Sequence, residues 1–172
     1  MSAAEAKLGQ AVVLGPQEGP SYWQPVPASG FARNLFNDKT TGSAHRFSLS
    51  VQTIAPGCFI REHTHSGNDE IGYVVSGKGF FKLNGVDHPV EAGSAVFIGV
   101  HHRHMWINPG PEPLTFLALF MPGGLDAFYA EIGRERKPGE PAPEPFARPA
   151  NIAEIEARTV FGWTDLEFAK RS

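Results

Sequence analysis

The sequence is poor in several features, and each scarcity excludes a class of protein. Its 172 residues include a single cysteine, Cys58, so no internal disulfide can form, and a reducing compartment is indicated. Lysine and arginine total 15 against 18 acidic residues and form no cluster, so the net charge of −3 offers nucleic acid no basic surface. No apolar run approaches the ~18 residues that a membrane-spanning helix needs.

The N-terminal segment MSAAEAKLGQAVVLG lacks the basic start and the long apolar stretch of a signal peptide. Together with the single cysteine, this predicts a cytoplasmic protein. A chain of this length can bury roughly 70% of its unfolded surface, which is enough for a sizeable core.

Glycine and proline, by contrast, are abundant, with 19 and 15 residues, as in β proteins with many tight turns. Short segments with β-strand character recur at regular spacing, and no long helical pattern separates them. The dipeptide Asn84-Gly85 favours a two-residue hairpin, because both positions tolerate positive φ. We predict an all-β antiparallel barrel or jelly roll, with strands at 11–14, 31–36, 44–54, 58–65, 70–75, 79–83, 86–90, 94–98, 104–108 and 114–120.

The pattern changes after residue 121. Apolar residues at helical spacing predict a helix within 125–135 on the outer surface of the barrel: Leu125, Phe128, Tyr129 and Ile132. Residues 137–150 hold five prolines and predict a stiff linker, and Asn151 resembles a helix N-cap. The tail is too apolar to be free, with Val160, Phe161, Trp163, Leu166 and Phe168, so we expect it to dock on the barrel or on a partner subunit. The predicted organisation is N-terminal strands and a loop at 1–43, a barrel at 44–121, a helix at 122–136, the linker at 137–150 and the tail at 151–172.

One short segment carries the clearest chemistry in the chain. His63 and His65 are two residues apart, so in a β-strand both side chains point to the same face, about 6.6 Å apart along the strand. The polar residues 66–69 favour a turn, after which Glu70 begins the next strand beside the histidines. His104 begins another apolar run. Three imidazoles and one carboxylate are ligands that divalent transition metals accept, so we predict one ion of Fe, Mn, Ni, Co or Zn per chain, bound by these four residues.

This spacing resembles the first signature of the cupin superfamily, which it reproduces at every position: Gly57, His63, His65, Glu70 and Gly77. In the second signature, Ser94 replaces the usual aspartate and the usual prolines are absent. The remaining spacing suits the family, with Gly93, His104 and Asn108 in place. The resemblance covers residues 45–120. It implies an antiparallel double-stranded β-helix with a metal site, and it extends to small one-barrel cupin dioxygenases.

Strand parity predicts which other side chains face the metal. Arg61 shares its face with the paired histidines and would bind a substrate carboxylate, unless a β-bulge turns it to solvent. His102 shares a face with His104 and would act as an acid or base. Trp106 and Asn108 also share that inward face and would contact substrate. The alternative is that both line the core, with Asn108 bonding backbone across a turn. An apolar lining favours an aromatic or unsaturated substrate, with contributions from Phe47, Phe59 and Trp106.

Parity also makes predictions away from the metal. In 44–54, one face of the strand carries Phe47, Leu49 and Val51, and the other carries Ser48, Ser50 and Gln52. Tyr73 is expected to face outward, and Cys58 to lie on the face opposite the histidines.

Two classes of function remain open. The first is a metal-dependent enzyme, a dioxygenase acting on a small enolic or phenolic substrate with Glu70 as base, and its rival is a non-redox isomerase, lyase or decarboxylase. The second is a module that binds a small molecule without catalysis. We also predict a homodimer in which the segment 12–14 or the apolar tail crosses to the partner subunit, because apolar extensions need a surface that covers them.

Overall fold

The structure is a computed structural model that describes residues 9–164. The strands among these residues are β1 (Ser21–Trp23), β2 (Phe31–Asn37), β3 (Ser48–Ile54), β4 (His63–His65), β5 (Asp69–Ser76), β6 (Lys78–Leu83), β7 (Val86–Glu91), β8 (Ala95–Ile98), β9 (His104–Ile107), β10 (Leu114–Met121), β11 (Arg134–Glu135) and β12 (Phe161–Thr164). The helices are α1 (Asp38–Thr41), α2 (Leu125–Ile132) and α3 (Ile152–Ala157). No helix of the described part is long and apolar enough to cross a membrane.

The strands form two antiparallel sheets around one core. The seven-stranded sheet has the order β11-β1-β2-β3-β10-β5-β8, and the five-stranded sheet has the order β12-β4-β9-β6-β7. Both sheets contribute to the core, with Ile54, Val74 and Phe116 from the first and Phe81 and Trp106 from the second. The predicted all-β antiparallel double-stranded β-helix is therefore confirmed.

Local signals predicted most of the strands and turns between residues 31 and 121. The hairpin between β6 and β7 turns at Asn84 and Gly85, whose φ angles are 49° and 87°. Both angles are positive, as the two-residue hairpin requires. Tyr73 is 46% exposed on the outer face, as predicted. Strand β4 is shorter than predicted and keeps only the three residues that carry the histidine pair.

The predicted strand at 11–14 is wrong, because residues 9–20 contain no strand. Strand β2, which follows this segment, already pairs with β1 on one side and β3 on the other. The segment therefore has no free edge of β2 to join. Val13 is 92% exposed within the chain.

Strand β3 alternates as predicted, but its polar face is the buried one. Ser48, Ser50 and Gln52 are buried, whereas Leu49 and Val51 are only half-buried. Partners from neighbouring elements make this possible: the hydroxyl of Ser50 donates to Asn34 Oδ1 at 3.0 Å, and Gln52 accepts a hydrogen bond from Tyr129. A buried polar face costs little once its groups are paired.

Helix α2 does not lie on the outer surface of the barrel. Its apolar side contributes Leu125, Phe128, Tyr129 and Ile132 to the same interior cavity that His63 lines. The helix itself was therefore predicted correctly, but the surface that it covers was predicted wrongly. The helix packs over the interior, next to β3.

The C-terminal segment returns to the barrel beside the histidine strand. Within the Pro-rich stretch, the carbonyl of Phe146 accepts a hydrogen bond from the Val26 N–H at 2.9 Å. Helix α3 begins after Asn151, as predicted, and β12 then pairs antiparallel with β4, with Phe161 opposite His65. The tail therefore docks on its own barrel up to residue 164, whereas Leu166 and Phe168 lie outside the described residues.

Candidate metal centre

The four predicted metal ligands meet inside the barrel. Strands β4 and β9 of the five-stranded sheet bring His63 opposite His104, while β5 carries Glu70 in the seven-stranded sheet. All four side chains are buried, and their candidate ligand atoms lie within 4.8 Å of one another: His63, His65, Glu70 and His104. The turn at 66–68 makes this possible, because it carries the chain from one sheet to the other.

Each histidine ring is oriented by a backbone carbonyl. Nδ1 lies 2.7 Å from the Arg61 carbonyl in His63, 2.9 Å from the Val160 carbonyl in His65 and 2.9 Å from the His102 carbonyl in His104. A carbonyl only accepts hydrogen bonds, so each Nδ1 carries the proton and donates it. In a neutral ring, Nε2 then carries no proton, and its lone pair is free to bind a metal.

The geometry around Glu70 tests whether a cation fits. Its Oε2 lies 3.2 Å from Nε2 of His65 and 3.3 Å from Nε2 of His104. If both rings are neutral, lone pairs face the carboxylate oxygen with no proton between them. Nε2 of His104 is buried and has no well-aligned hydrogen-bond partner among the described residues, despite this short distance. The arrangement therefore needs either ring protonation or a cation, and the residue set fits a divalent metal ion.

The pKa shifts support a neutral histidine beside an ionised carboxylate. Burial holds the pKa of His63 well below its usual value, and the neighbouring His104 and His65 rings lower it further. For Glu70, burial alone would raise the pKa, but hydrogen bonds and positive charge from His104 and His65 outweigh burial and hold it well below its usual value. A bound cation would supply the same positive charge with both rings neutral. A neutral imidazole at His63 and an ionised carboxylate at Glu70 are the protonation states that metal ligands require.

A small cavity adjoins the ligand cluster. It measures about 70 Å³, room for a few water molecules or a small ligand. His63 and Glu70 form part of its wall, and most of the rest is apolar, including Trp106, Phe116 and Phe120. A molecule in this cavity would therefore contact both metal ligands and aromatic rings.

Two of the predicted lining residues, Trp106 and Phe59, line this cavity. The Trp106 ring stacks on Phe116 with ring centroids 4.2 Å apart. Gly72 makes room for this ring, because a Cβ atom there would lie 2.7 Å from Trp106 Cζ2. Phe59 is 39% exposed and lies at the rim.

Arg61 lines the cavity as parity predicted, but its guanidinium has a partner from the C-terminal segment. Nη2 of Arg61 donates to Oε1 of Glu156, and Nη1 of Arg148 contacts the same oxygen at 3.3 Å. Glu156 lies in α3, and its side chain is 5% exposed. The ion pair therefore joins the histidine strand to the segment that covers the site.

The prediction that Asn108 contacts substrate is wrong. Its amide nitrogen donates to the carbonyls of Ile54, Ala55 and Glu112, and its Oδ1 accepts the Gly110 N–H. Both polar atoms are thus used within the protein. The alternative role, joining backbone segments across a turn, is the one that the structure shows.

His102 and Phe47 were also predicted to face the site, and neither does. His102 is exposed, and its Nδ1 pairs with the Asn84 amide at 2.9 Å. Parity fails here because His101 adopts a positive φ of 66°, and β9 begins only at His104. Phe47 precedes β3 and does not line the cavity, because the buried face of β3 is the serine face.

Most other cavity residues were not recognised from the sequence as parts of the site, among them Gln24, Gln52 and Tyr129. The Tyr129 hydroxyl donates to Gln52 Oε1 at 2.8 Å, and Gln52 Nε2 donates to Gln24 Oε1 at 3.2 Å. Burial raises the Tyr129 pKa well above its usual value, and the negative charges of Glu70 and Asp126 raise it further, so the hydroxyl stays protonated. The polar character of one face of β3 was the only sequence signal for this network.

Comparison with known protein families identifies the family to which this barrel belongs. The family described as Cupin domain matches residues 50–120, which carry all four candidate ligands. Residues 50–120 form a cupin domain.

Known relatives of this cupin differ in how much of it they match. An oxalate-binding protein of Thermotoga maritima is 37% identical over 68 residues, 40% of this chain and 56% of that protein. The tetracenomycin polyketide synthase protein TcmJ of Streptomyces glaucescens is 28% identical over 150 residues, 87% of this chain and 91% of that protein. A crystal structure of a predicted oxalate decarboxylase from Thermotoga maritima superposes with a TM-score of 0.56 at 27% identity, covering 64% of this chain and 98% of that one. The first match thus spans little more than half of the relative concerned.

Proposed function

We propose that this cupin is a metal-dependent dioxygenase that acts on a small enolic or phenolic compound. The observation that carries the proposal is the convergence of three imidazole Nε2 atoms and one carboxylate at the wall of a largely apolar cavity. His63, His65, Glu70 and His104 would hold the ion, as Fe, Mn, Ni, Co or Zn. When bound, such an ion supplies Lewis-acid activation of an enol or phenol oxygen and, if redox-active, reactivity toward dioxygen.

The protein's own residues would orient the substrate and exclude water. The stacked rings of Trp106 and Phe116 offer a flat apolar wall suited to an unsaturated or aromatic compound. Phe161 of β12 lies 5.0 Å from the His63 ring, centroid to centroid, and closes the cavity on the C-terminal side. Such a pocket favours an aromatic substrate over a sugar, because a sugar would leave its hydroxyl groups unpaired.

Glu70 is the proposed base. Its carboxylate is ionised in the folded protein, and its Oε2 faces the ligand cluster. While Oε2 remains in contact with His65 and His104, its low pKa makes it a poor proton acceptor. We infer that Oε2 accepts the substrate proton when substrate binding draws it away from the two rings.

The similarity to the Streptomyces glaucescens protein supports the substrate class. That relative is named as a protein of a polyketide synthase, and the match spans most of both chains. Polyketides carry the enol and phenol oxygens that a Lewis acid would activate. The substrate of this cupin is thus proposed to be a compound of that chemical kind.

A non-redox isomerase, lyase or decarboxylase is the second candidate. Two relatives are named for oxalate binding and predicted oxalate decarboxylation, and two arginines, Arg61 and Arg148, line the cavity. Guanidinium groups bind carboxylates well. Glu156 already engages both arginines, so a carboxylate substrate would compete with it.

The proposal also includes a cytoplasmic location and a homodimer. The free cysteine Cys58 is half-buried, which suits a reducing compartment. The exposure of Val12 and Val13 supports a partner subunit that covers them.

Oxygen consumption tests the proposed chemistry. Protein loaded separately with iron, manganese, nickel or cobalt is supplied with a panel of enolic and phenolic compounds in an oxygen electrode. We expect oxygen uptake with at least one combination of metal and compound. Glu70→Gln should keep most of the metal while lowering turnover by roughly 10²-fold or more. The exposed Glu91→Gln is the matched control, with turnover unchanged.

If no metal form consumes oxygen with any compound, the dioxygenase proposal falls. Turnover by the zinc form without oxygen would then establish the non-redox alternative. Binding without any turnover would instead indicate a module that only holds the ligand.

A further inference from the structure

A chain of three polar side chains crosses the cavity wall. It runs from the Tyr129 hydroxyl through the Gln52 amide to the Gln24 amide, and all three side chains are buried. Oε1 of Gln24 accepts from Gln52, but its Nε2 is buried and has no hydrogen-bond partner within residues 9–164. Gln24 is only 4% exposed, so bulk solvent does not satisfy this donor.

The surplus donor of this chain belongs to Gln24. Tyr129 donates to Gln52, Gln52 donates to Gln24, and the Gln24 N–H groups remain. The Gln24 end of the chain therefore offers a hydrogen-bond donor and lacks an acceptor.

The backbone holds Gln24 firmly in place. Its N–H donates to the Gly30 carbonyl at 2.8 Å, which closes the loop 24–30. Gly30 lies directly against β3, since a Cβ atom there would lie 1.8 Å from the Thr53 carbonyl oxygen. This loop therefore presents a preorganised side chain, as a specificity-determining residue requires.

We propose that Gln24 binds a second acceptor oxygen of the substrate, while the first oxygen lies at the cluster of His63, His65, Glu70 and His104. Gln24 and His63 line the same cavity, which opens to solvent beside Phe59 and so can admit a ligand larger than its enclosed space of about 70 Å³. The substrate class is thereby narrowed to compounds with a phenol or enol oxygen and a nearby carbonyl, such as hydroxyaryl ketones. This inference rests on the proposed function, because it assumes that the first oxygen binds at the metal site.

Two probes of matched shape test the inference. 2-Hydroxyacetophenone carries a phenol oxygen and a carbonyl, whereas 2-ethylphenol keeps the phenol and replaces the carbonyl oxygen with hydrogens. Binding to zinc-loaded protein is measured by calorimetry, so that turnover plays no part. The ketone should bind on the order of tenfold more tightly, the usual effect of one neutral hydrogen bond. In Gln24→Met, which has no side-chain N–H, that preference should disappear while the affinity for 2-ethylphenol is kept.

A spectroscopic measurement on the unaltered protein reports the contact with Gln24 directly and does not depend on how tightly the variant binds. The chain has four glutamines, so ¹⁵N labelling of glutamine side chains gives four pairs of amide signals, assigned through Gln24→Met and the exposed Gln17→Met. The Gln24 signals should shift when the ketone is added, and much less with 2-ethylphenol.

Two results would overturn the inference in different ways. The indole N–H of Trp106 also lines the cavity, is buried and has no hydrogen-bond partner within residues 9–164. If the ketone is still preferred in Gln24→Met and the Gln24 signals do not move, then metal chelation or this Trp106 N–H accounts for the preference, and Gln24 has no such role. If neither probe binds the unaltered zinc protein, then the phenolic substrate class of the proposed function is wrong, and this inference falls with it.

Discussion

Removing His104 should eliminate most of the stabilisation that zinc gives to the folded protein. His104 is fully buried, its Nδ1 is oriented by the His102 carbonyl, and its Nε2 lies 3.3 Å from Glu70 Oε2. His104→Ala therefore removes one of four convergent ligands without exposing the other three. The matched control is His88→Ala, because His88 is exposed on β7 and lies outside the cluster.

The expected size of the effect follows from ligand linkage. At a free zinc concentration 100 times Kd, binding stabilises the folded state by about 2.7 kcal/mol. For a protein of this size, each kcal/mol moves Tm by about 2–4 °C, so the intact site should gain about 5–11 °C. Loss of a ligand should weaken binding by at least the ~100-fold that loss of a supporting residue can cost. At the same zinc concentration, about 0.4 kcal/mol and at most about 2 °C then remain.

Thermal unfolding with and without zinc is the assay, and each protein is compared with its own metal-free form. This comparison removes the direct cost of losing the buried ring. Elemental analysis of His104→Ala and His63→Ala should show correspondingly little bound metal. Equal zinc-induced shifts in His104→Ala and His88→Ala, with undiminished metal content, would refute the assignment of the ligands.

Three further predictions concern stability and assembly. Metal-free protein should lose stability as pH falls below about 6.5, because His63 takes up a proton in the unfolded chain but not in the folded protein, where its pKa is lowered. Urea midpoints at pH 5.5 and 7.5 measure this loss, and equal midpoints would contradict it. Asn108→Ala should destabilise the protein by about 3 kcal/mol in urea while metal content is retained, because the buried Ile54 carbonyl and two partly buried backbone groups lose their partner. A change below about 0.5 kcal/mol would count against the bracing role. Val13→Asp should dissociate the predicted homodimer, whereas Val86→Asp, at the exposed start of β7, should not, and light scattering measures the molar mass of each variant. A monomer of 18.7 kDa for the unaltered protein would exclude the dimer.

Local rules were sufficient for the approximate positions of most barrel strands along the chain and for the identity of the four candidate ligands. The period of two within a strand places His63 and His65 on one face, and turn chemistry after them returns Glu70 to the same region. Asn84-Gly85 formed the predicted hairpin for the same reason: the conformational preference of two residues decides it. These features depend on neighbours within a few positions, so the sequence alone contains them.

Contacts between distant parts of the chain decided the rest. The buried face of β3 is its serine face, because Asn34 and Tyr129 supply partners that no local pattern reveals. The partner of Arg61 is Glu156, 95 residues further along the chain, and α2 covers the cavity instead of the outer barrel wall. Parity also fails wherever one residue leaves the extended conformation, as His101 does just before His104. The sequence determined which groups can bind a metal, and the tertiary structure determined which groups surround it, because a polar side chain can be buried only where the folded chain supplies its partner.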